Sequence, residues 1–370
     1  MNLPLRNSLT VDELLSPERN NFDLIRLILA ILVIYGHSFA VTPGPGQGKE
    51  WVHAITGFYG GDIAIKGFFF ISGLLVGASL LRVASPTRYL VARFFRIIPA
   101  LLVVATVSAL LIGPIYSSLG WQEYFRNPAT WDYIARTVTL QYWGQDLGLP
   151  GVFANNPYPD SINAPLWSIC AEVFCYLVLL ALFLISRLSK SFAVAAFALI
   201  VIDSVLPAKV LFAWLPQVST DFSILPFCFA TGALLAVFRK ECTLGIPTLI
   251  GCLLAIWLFS GSPLAYLLRY SALFLILLLI AINPITLRLK LQRDISYGVY
   301  LWGWPVQQMY AAMFPNTNHL TAFVACVLLA VILAYFSSRF IEESAINFGR
   351  RLGIRLDPAK RGDRLVHAGS

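Results

Sequence analysis

The stretch NFDLIRLILAILVIYGHSF, residues 21–39, decides how this chain is read: it is apolar enough to cross a membrane, yet it carries Asp23, Arg26 and His37. A charged side chain in hydrocarbon costs roughly 2.5 kcal/mol or more, so such groups are rarely kept in a span without a task. Their spacing is informative. At about 100° per residue, the steps from Arg26 to His37 close to within ~20° of three full turns, and Asp23 falls on the same face. Leu27, Ala30 and Ile34 fill the stripe between them. A rise of ~1.5 Å per residue sets the guanidinium near one water interface and the imidazole roughly 16 Å deeper. Such a ladder suits an enzyme that reaches across a bilayer.

The rest of the chain fits a membrane setting. Its 370 residues are 58% hydrophobic and only 12% charged, and the mean hydropathy is +0.73. A soluble domain carries about twice that charge fraction, so the expected fold is an all-α, polytopic membrane helical bundle. The formal charge of +8 follows the loops and forms no basic patch interleaved with exposed aromatics, so no nucleic-acid partner is expected. The opening residues MNLPLRNSLTVDELLSPERN are polar, and the first apolar run is too long for the core of a cleavable signal. Cys170, Cys175, Cys228, Cys252 and Cys326 lie in apolar segments without CxxC spacing, and Cys242 sits in a short basic turn. They read as core residues, with no metal site or disulfide framework expected.

Apolar segments occur at 22–40, 62–82, 93–116, 166–186, 190–206, 221–238, 245–260, 265–283, 295–313 and 320–340. These predict about ten transmembrane helices, and the regions 190–206, 245–260 and 130–143 leave room for an eleventh. With the N-terminus in the cytoplasm, twenty of the 27 Lys and Arg residues fall in inner loops or the tail. Four (Lys49, Arg126, Arg136 and Lys209) fall outside, and three (Arg26, Lys66 and Arg269) lie within spans. That bias predicts both termini in the cytoplasm. The expected organisation is a cytoplasmic N-terminal segment (1–21), a membrane domain (22–345) with an outer loop at about 117–165, and a basic cytoplasmic tail (346–370). The outer loop is rich in Trp, Tyr, Pro and Asn and has an amphipathic stretch at 129–143. It suits contact with carbohydrate or lipid headgroups, and interfacial anchoring explains it equally well.

Each polar residue of the spans has two readings. His37 is either a satisfied interhelical hydrogen bond, or a base that takes a proton from a hydroxyl, or a group that carries an acyl unit itself. Asp23 and Arg26 form an i,i+3 ion pair or await an anion. Glu172 opens the fourth span from the outer side at a depth similar to His37. It either caps the helix or sets the imidazole tautomer. Lys66 follows Asp62 by four residues, the favourable order for a pair, and as a functional group it would stabilise an oxyanion. Ser72 and Gly73 read as sites of close helix packing. Arg93 and Arg96 are one turn apart where the third span is expected to begin, with Arg88 just before it. Topology alone calls for positive charge there. A phosphate clamp is the sharper reading, with phosphate-rich coenzyme A as the natural ligand.

Taken together, these elements resemble the acyltransferase 3 family of bacterial membrane O-acyltransferases. The first-span Arg/Lys-x10-His motif is present as Arg26…His37 after Phe22–Asp23, and the FFxxSG segment as Ile65–Gly73. RxxR is Arg93–Arg96, the LWS…E element is Leu166-Trp167-Ser168 with Glu172, and SYxxYLxH and FIExP correspond to Ile295–Pro305 and Phe340–Ser344. The match runs over roughly 20–345 in the family's order. Two positions depart from it: Gly303 stands where many members carry a second His, and Ser344 replaces a Pro. No appended SGNH-type hydrolase domain is expected. The resemblance implies transfer of an acyl group, usually acetyl, from cytoplasmic acetyl-CoA or another acyl-CoA to sugar hydroxyls of a surface or exported glycan. The acceptor would be a polysaccharide or a lipid-linked saccharide, and the setting the bacterial inner membrane. It implies His37, Glu172 and Lys66 as catalytic groups. Asp23, Arg26, Arg93, Arg96, Trp167 and Ser168 would contact substrate. Membrane lipid is a further expected partner, and the oligomeric state is left open. The competing class is a transporter or flippase, against which stand the lack of an inverted repeat and of matching Gly/Pro-broken spans. A scaffold of a polysaccharide export machine would leave the buried ladder unexplained.

Overall fold

The computed structural model describes residues 9–141, 148–206, 210–211 and 224–357. The first eight residues of the N-terminal segment, 142–147 of the outer loop, Lys209, the start of the 221–238 segment and 358–370 of the tail lie outside the described residues. Ten helices occupy the apolar segments. They are α1 (Phe22–Val41), α2 (Gly60–Val83), α3 (Pro86–Tyr116), α4 (Ala164–Ser186), α5 (Lys190–Val205), α6 (Leu225–Val237), α7 (Ile246–Leu258), α8 (Pro263–Ala281), α9 (Ser296–Met313) and α10 (His319–Leu356).

Six of them (α1, α2, α3, α4, α8 and α10) are long and apolar enough to cross a membrane. The chain is therefore an all-helical, multi-pass architecture. Helices α6 and α7 have 13 residues each, about 20 Å of rise against a hydrocarbon core of ~30 Å. Leu320, Leu328, Ile332 and Phe336 of α10 are exposed, as suits a helix that lies against lipid.

Three boundaries differ from expectation. Helix α3 starts at Pro86 rather than 93, because Pro fits the first helical position and the Ser85 hydroxyl accepts from the Arg88 N–H. Arg88, Arg93 and Arg96 thus sit inside the helix. The amphipathic stretch near 130 is an 11-residue helix, Pro128–Val138, capped by Asn127 and too short for an eleventh span. Helix α10 continues through a π turn (Ser338–Glu342) to Leu356, so the boundary at 345 falls within a helix. The reason is packing. Phe348 meets Phe95 edge-on at 5.3 Å, and Gly349 lies against Phe95 where a Cβ would come within 2.7 Å.

The chain divides into two compact units. The first comprises Met1–Leu29, Asp62–Arg82 and Ala171–Gln292. Here the N-terminal strand Leu9–Thr10 pairs antiparallel with Thr243–Leu244, and Arg239 Nε donates to Asp12 at 2.7 Å. The Asn21 side chain donates to the Thr286 carbonyl just beyond α8. In its core Phe70 stacks on Phe274 at 4.3 Å. Helices α2 and α6 cross at a reciprocal glycine contact: a Cβ on Gly73 would overlap the Phe229 carbonyl oxygen, and one on Gly232 the Phe70 carbonyl oxygen. Helices in lipid gain mainly from such close approach. The second unit comprises Ala30–Gly61, Val83–Cys170 and Arg293–Ser370. It contains the end of α1, all of α3, the outer-loop helices, α9 and α10.

Gly73→Ala forces backbone apart rather than a flexible side-chain end. It should cost at least ~2 kcal/mol, measurable as a lower thermal midpoint of the detergent-solubilised protein than that of Gly120→Ala, where an added Cβ meets open space.

Candidate functional site

His37 belongs to the second unit, on the last turns of α1, and is half-buried. Its ring meets Trp304 of α9 edge-to-face at 5.0 Å, and Trp304 meets Tyr158 of the outer loop in the same manner at 4.9 Å. One turn before His37, the Ile34 carbonyl accepts a 2.9 Å hydrogen bond from Gln307 Nε2. Gly303 faces the Ile34 side chain, and a Cβ there would lie 2.8 Å from Ile34 Cγ1. The volume that a second imidazole would need is therefore filled by Ile34.

Helix α9 is held in place by a backbone defect. Pro305 has no N–H, so the Leu301 carbonyl has no partner within the helix. The Asn163 side chain supplies one, donating to Leu301 O at 3.0 Å. Gln308 extends the tie: its Nε2 donates to the carbonyls of Tyr158 and Ser161, and its Oε1 accepts from Asn156. Ser168 bonds the Tyr300 hydroxyl, which donates to the Pro165 carbonyl. Ser168 is thus a buried link between α4 and α9. Trp167, beside it, is half-buried. Asn163, Gln307 and Gln308 were not singled out by sequence. The internal proline was the signal available.

At the other end of α9, Arg96 sits between two carboxylates. Its Nη2 donates to Asp294 Oδ2 at 2.6 Å, and its Nη1 lies 3.7 Å from Glu342 Oε2. Asp294 also accepts from the backbone N–H and hydroxyl of Ser296, the first turn of α9. The π turn of α10 brings in Glu342, whose other oxygen accepts from Ser337. The RxxR, DISYG and FIEES segments thus meet at one charge cluster. Two negative charges already surround the Arg96 guanidinium, which leaves it less able to grip phosphate than expected. Arg93, one turn away, is half-buried.

In the first unit, Glu172 accepts from the Ser72 hydroxyl at 2.7 Å and the Tyr176 hydroxyl at 2.6 Å, both at Oε1. Among the described residues no hydrogen bond reaches its Oε2. Ser72 therefore holds a carboxylate, which is more than the packing role expected of it, whereas Gly73 does pack closely. Lys66 is fully buried. Its ammonium pairs with Asp62 and donates to the Tyr270 hydroxyl at 2.9 Å, and that hydroxyl donates to Asp62 Oδ2 at 2.6 Å. The Tyr270 hydroxyl also lies 3.4 Å from that of Tyr266, so the triangle is part of a wider polar set. It engages the charge that an oxyanion would need, so the oxyanion role is not carried further. Asp23 is exposed and Arg26 half-buried on the first turns of α1.

Two substitutions test these assignments. Arg96→Gln leaves Asp294 and Glu342 without a counter-charge and should cost about 3 kcal/mol. It should show as lost monodisperse protein, recovered in part by adding Glu342→Gln; an intact fold with only a raised KM for donor would instead mark a phosphate ligand. Gly303→Ala should destabilise by ~1–3 kcal/mol through overpacking, and adding Ile34→Ala, which removes both Cγ1 and Cδ1, should make the Gly303→Ala change cost less, measured as thermal midpoints of the single and double variants.

Comparison with known proteins bears on this arrangement. The model of the acyltransferase domain family matches residues 19–339. An O-acetyl transferase of Shigella phage Sf6 is 26% identical over 331 residues, covering 86% of this chain and 92% of that protein. Nodulation protein 10 of Rhizobium leguminosarum bv. viciae is 31% identical over 167 residues, 44% of each chain. No solved structure matches. With the match extending from before α1 into the π turn of α10, the chain belongs to the acyltransferase domain family and is an O-acyltransferase.

Proposed function

We propose that this protein transfers an acyl group, acetyl first among candidates, from cytoplasmic acyl-CoA to a sugar hydroxyl of a surface or exported polysaccharide. The acceptor is polymerised or lipid-linked. The setting is a bacterial inner membrane crossed about ten times, with both termini inside. The Lys and Arg bias supports that topology. So does the pairing of segments expected on the inner side: the N-terminal strand with the turn after α6, and Arg96 with Asp294 and Glu342. The likeness to an O-acetyl transferase supports acetyl as the group moved.

The observation that carries the reading is the stripe on α1. Ala30 and Ile34, which separate Arg26 from His37, are 0% and 2% exposed, whereas Ile28 on the opposite side is 47% exposed. Burial of the apolar positions between Arg26 and His37, on one continuous helix, supports an inward-facing stripe. A thioester carried on a flexible arm suits that ~16 Å rise.

In this mechanism Arg93 and Arg26 hold donor phosphates near the inner face, while Arg96 positions α9 through its carboxylates. His37 takes the proton of the sugar hydroxyl as its oxygen attacks the thioester carbonyl, and returns it to the departing thiolate. Glu172 is the further catalytic group of this reading, its Oε1 held by the Ser72 and Tyr176 hydroxyls. The outer loop, with Trp167 and Ser168 at its end, receives the acceptor. Residues 1–21 and 346–370 serve as cytoplasmic ends of a membrane domain spanning 22–345. Membership of an acyltransferase family weighs against the transporter reading.

His37→Ala should insert normally yet lower transfer at least ~100-fold, read as radiolabel passing from acetyl-CoA to polysaccharide extracted from cells lacking the gene. Full-rate transfer by that variant would remove the mechanism. Label trapped on His37 of the wild type would replace base catalysis with an acyl-histidine route.

A further inference from the structure

We infer that Gln307 is a substrate-binding residue whose carboxamide oxygen accepts a hydrogen bond from a hydroxyl of the acceptor sugar held beside His37. The inference rests on the acyl transfer proposed above and identifies a residue that contacts its acceptor.

Three contacts fix the position of Gln307. Gly303 and Trp304 each lie about one turn before Gln307 on α9, and the three share the face turned to the end of α1. Gly303 lies against the Ile34 side chain, Trp304 against the His37 ring, and Gln307 Nε2 against the Ile34 carbonyl. In a helix that carbonyl points toward the following turn, which carries His37. The Gln307 carboxamide therefore sits within a turn of the imidazole.

Its orientation is also fixed. Ile34 O is an acceptor only, so the amide nitrogen must face it; the flipped amide would set two oxygens against each other. Gln307 Oε1 is left facing away from Ile34. The residue is 0% exposed, and among the described residues Oε1 has no hydrogen-bond partner. Leaving a buried acceptor unpaired costs more than making its bond gains. A group kept in that state beside a proposed catalytic base is matched to a donor that arrives with substrate.

The surroundings define the donor. Trp304 and Tyr158 form an aromatic pair next to His37. Aromatic walls with one or two aimed polar groups suit a ligand that has both apolar faces and hydroxyl donors. A pyranose ring has both. Gly303 sharpens the point: the chain carries no side chain at 303, and the neighbouring position on the same face presents a hydrogen-bonding group instead.

The test uses the full-length protein in detergent with radiolabelled acetyl-CoA. The acceptor is polysaccharide extracted from cells lacking the gene, and acceptor-free thioester hydrolysis is measured in parallel. Gln307→Leu and the unbranched Gln307→Met should raise the KM for polysaccharide about five- to ten-fold, the loss expected for one hydrogen bond. The KM for acetyl-CoA, acceptor-free hydrolysis and thermal midpoint should stay near wild type. An unchanged acceptor KM in the folded variant overturns the inference, the oxygen then bonding water alone. Hydrolysis and transfer falling together with the thermal midpoint in both variants also overturn it, leaving Gln307 as a tie between helices. Wild-type protein that neither hydrolyses acetyl-CoA nor esterifies the polysaccharide overturns the proposed function itself.

Discussion

One missing N–H, at Pro305, sets the geometry around His37. Hydrocarbon offers no water to satisfy a stranded carbonyl, so the protein must provide a donor. Asn163 provides it from the segment before α4, and Gln308 secures the same segment about two turns after Leu301. Helix α9 is thereby fastened at mid-length, while Asp294 fastens its start to Arg96. Trp304 and Gln307 lie between the ties at Leu301 and Gln308. The position of the imidazole's neighbours is thus a consequence of a backbone requirement in a different helix.

The buried charges fall into two kinds. Lys66, Asp62 and Tyr270 close on one another, each polar atom answered by the next. Such pairing offsets the cost of burying an ammonium away from water. Glu172 differs, because both of its hydrogen bonds land on one oxygen. A carboxylate whose hydrogen bonds fall on one oxygen and an ammonium paired with a carboxylate differ in how they are satisfied, although both are removed from water. Arg96 lies closer to the first kind.

Much of the architecture was legible in the sequence, since long apolar runs have no other stable form in lipid. The positions of α1, α2, α4 and α8 follow from hydropathy alone. The start of α3 and the end of α10 did not. Both depend on a polar, arginine-bearing stretch becoming helical by packing against its neighbour, as Phe348 and Gly349 do on Phe95, and hydropathy does not register amphipathic packing of that kind. In the site, His37 and Glu172 stand out because each is an isolated polar group in an apolar run. Gln307 and Asn163 do not, because an uncharged amide is unremarkable until its partners are known. Lys66 was conspicuous for the same reason as His37, yet its spacing from Asp62 already contained the structural answer.

The pairing of Leu9–Thr10 with Thr243–Leu244 has a consequence for biosynthesis. The N-terminal strand leaves the ribosome about 230 residues before its partner exists. At roughly 5–20 residues per second, that is an interval of some 10–50 s. Asn21, bonded to the carbonyls of Ala281 and Thr286, waits longer still. Helix α1 must therefore enter the bilayer before the contacts at its base can form, and the first unit is completed only once the chain up to Gln292 has been made.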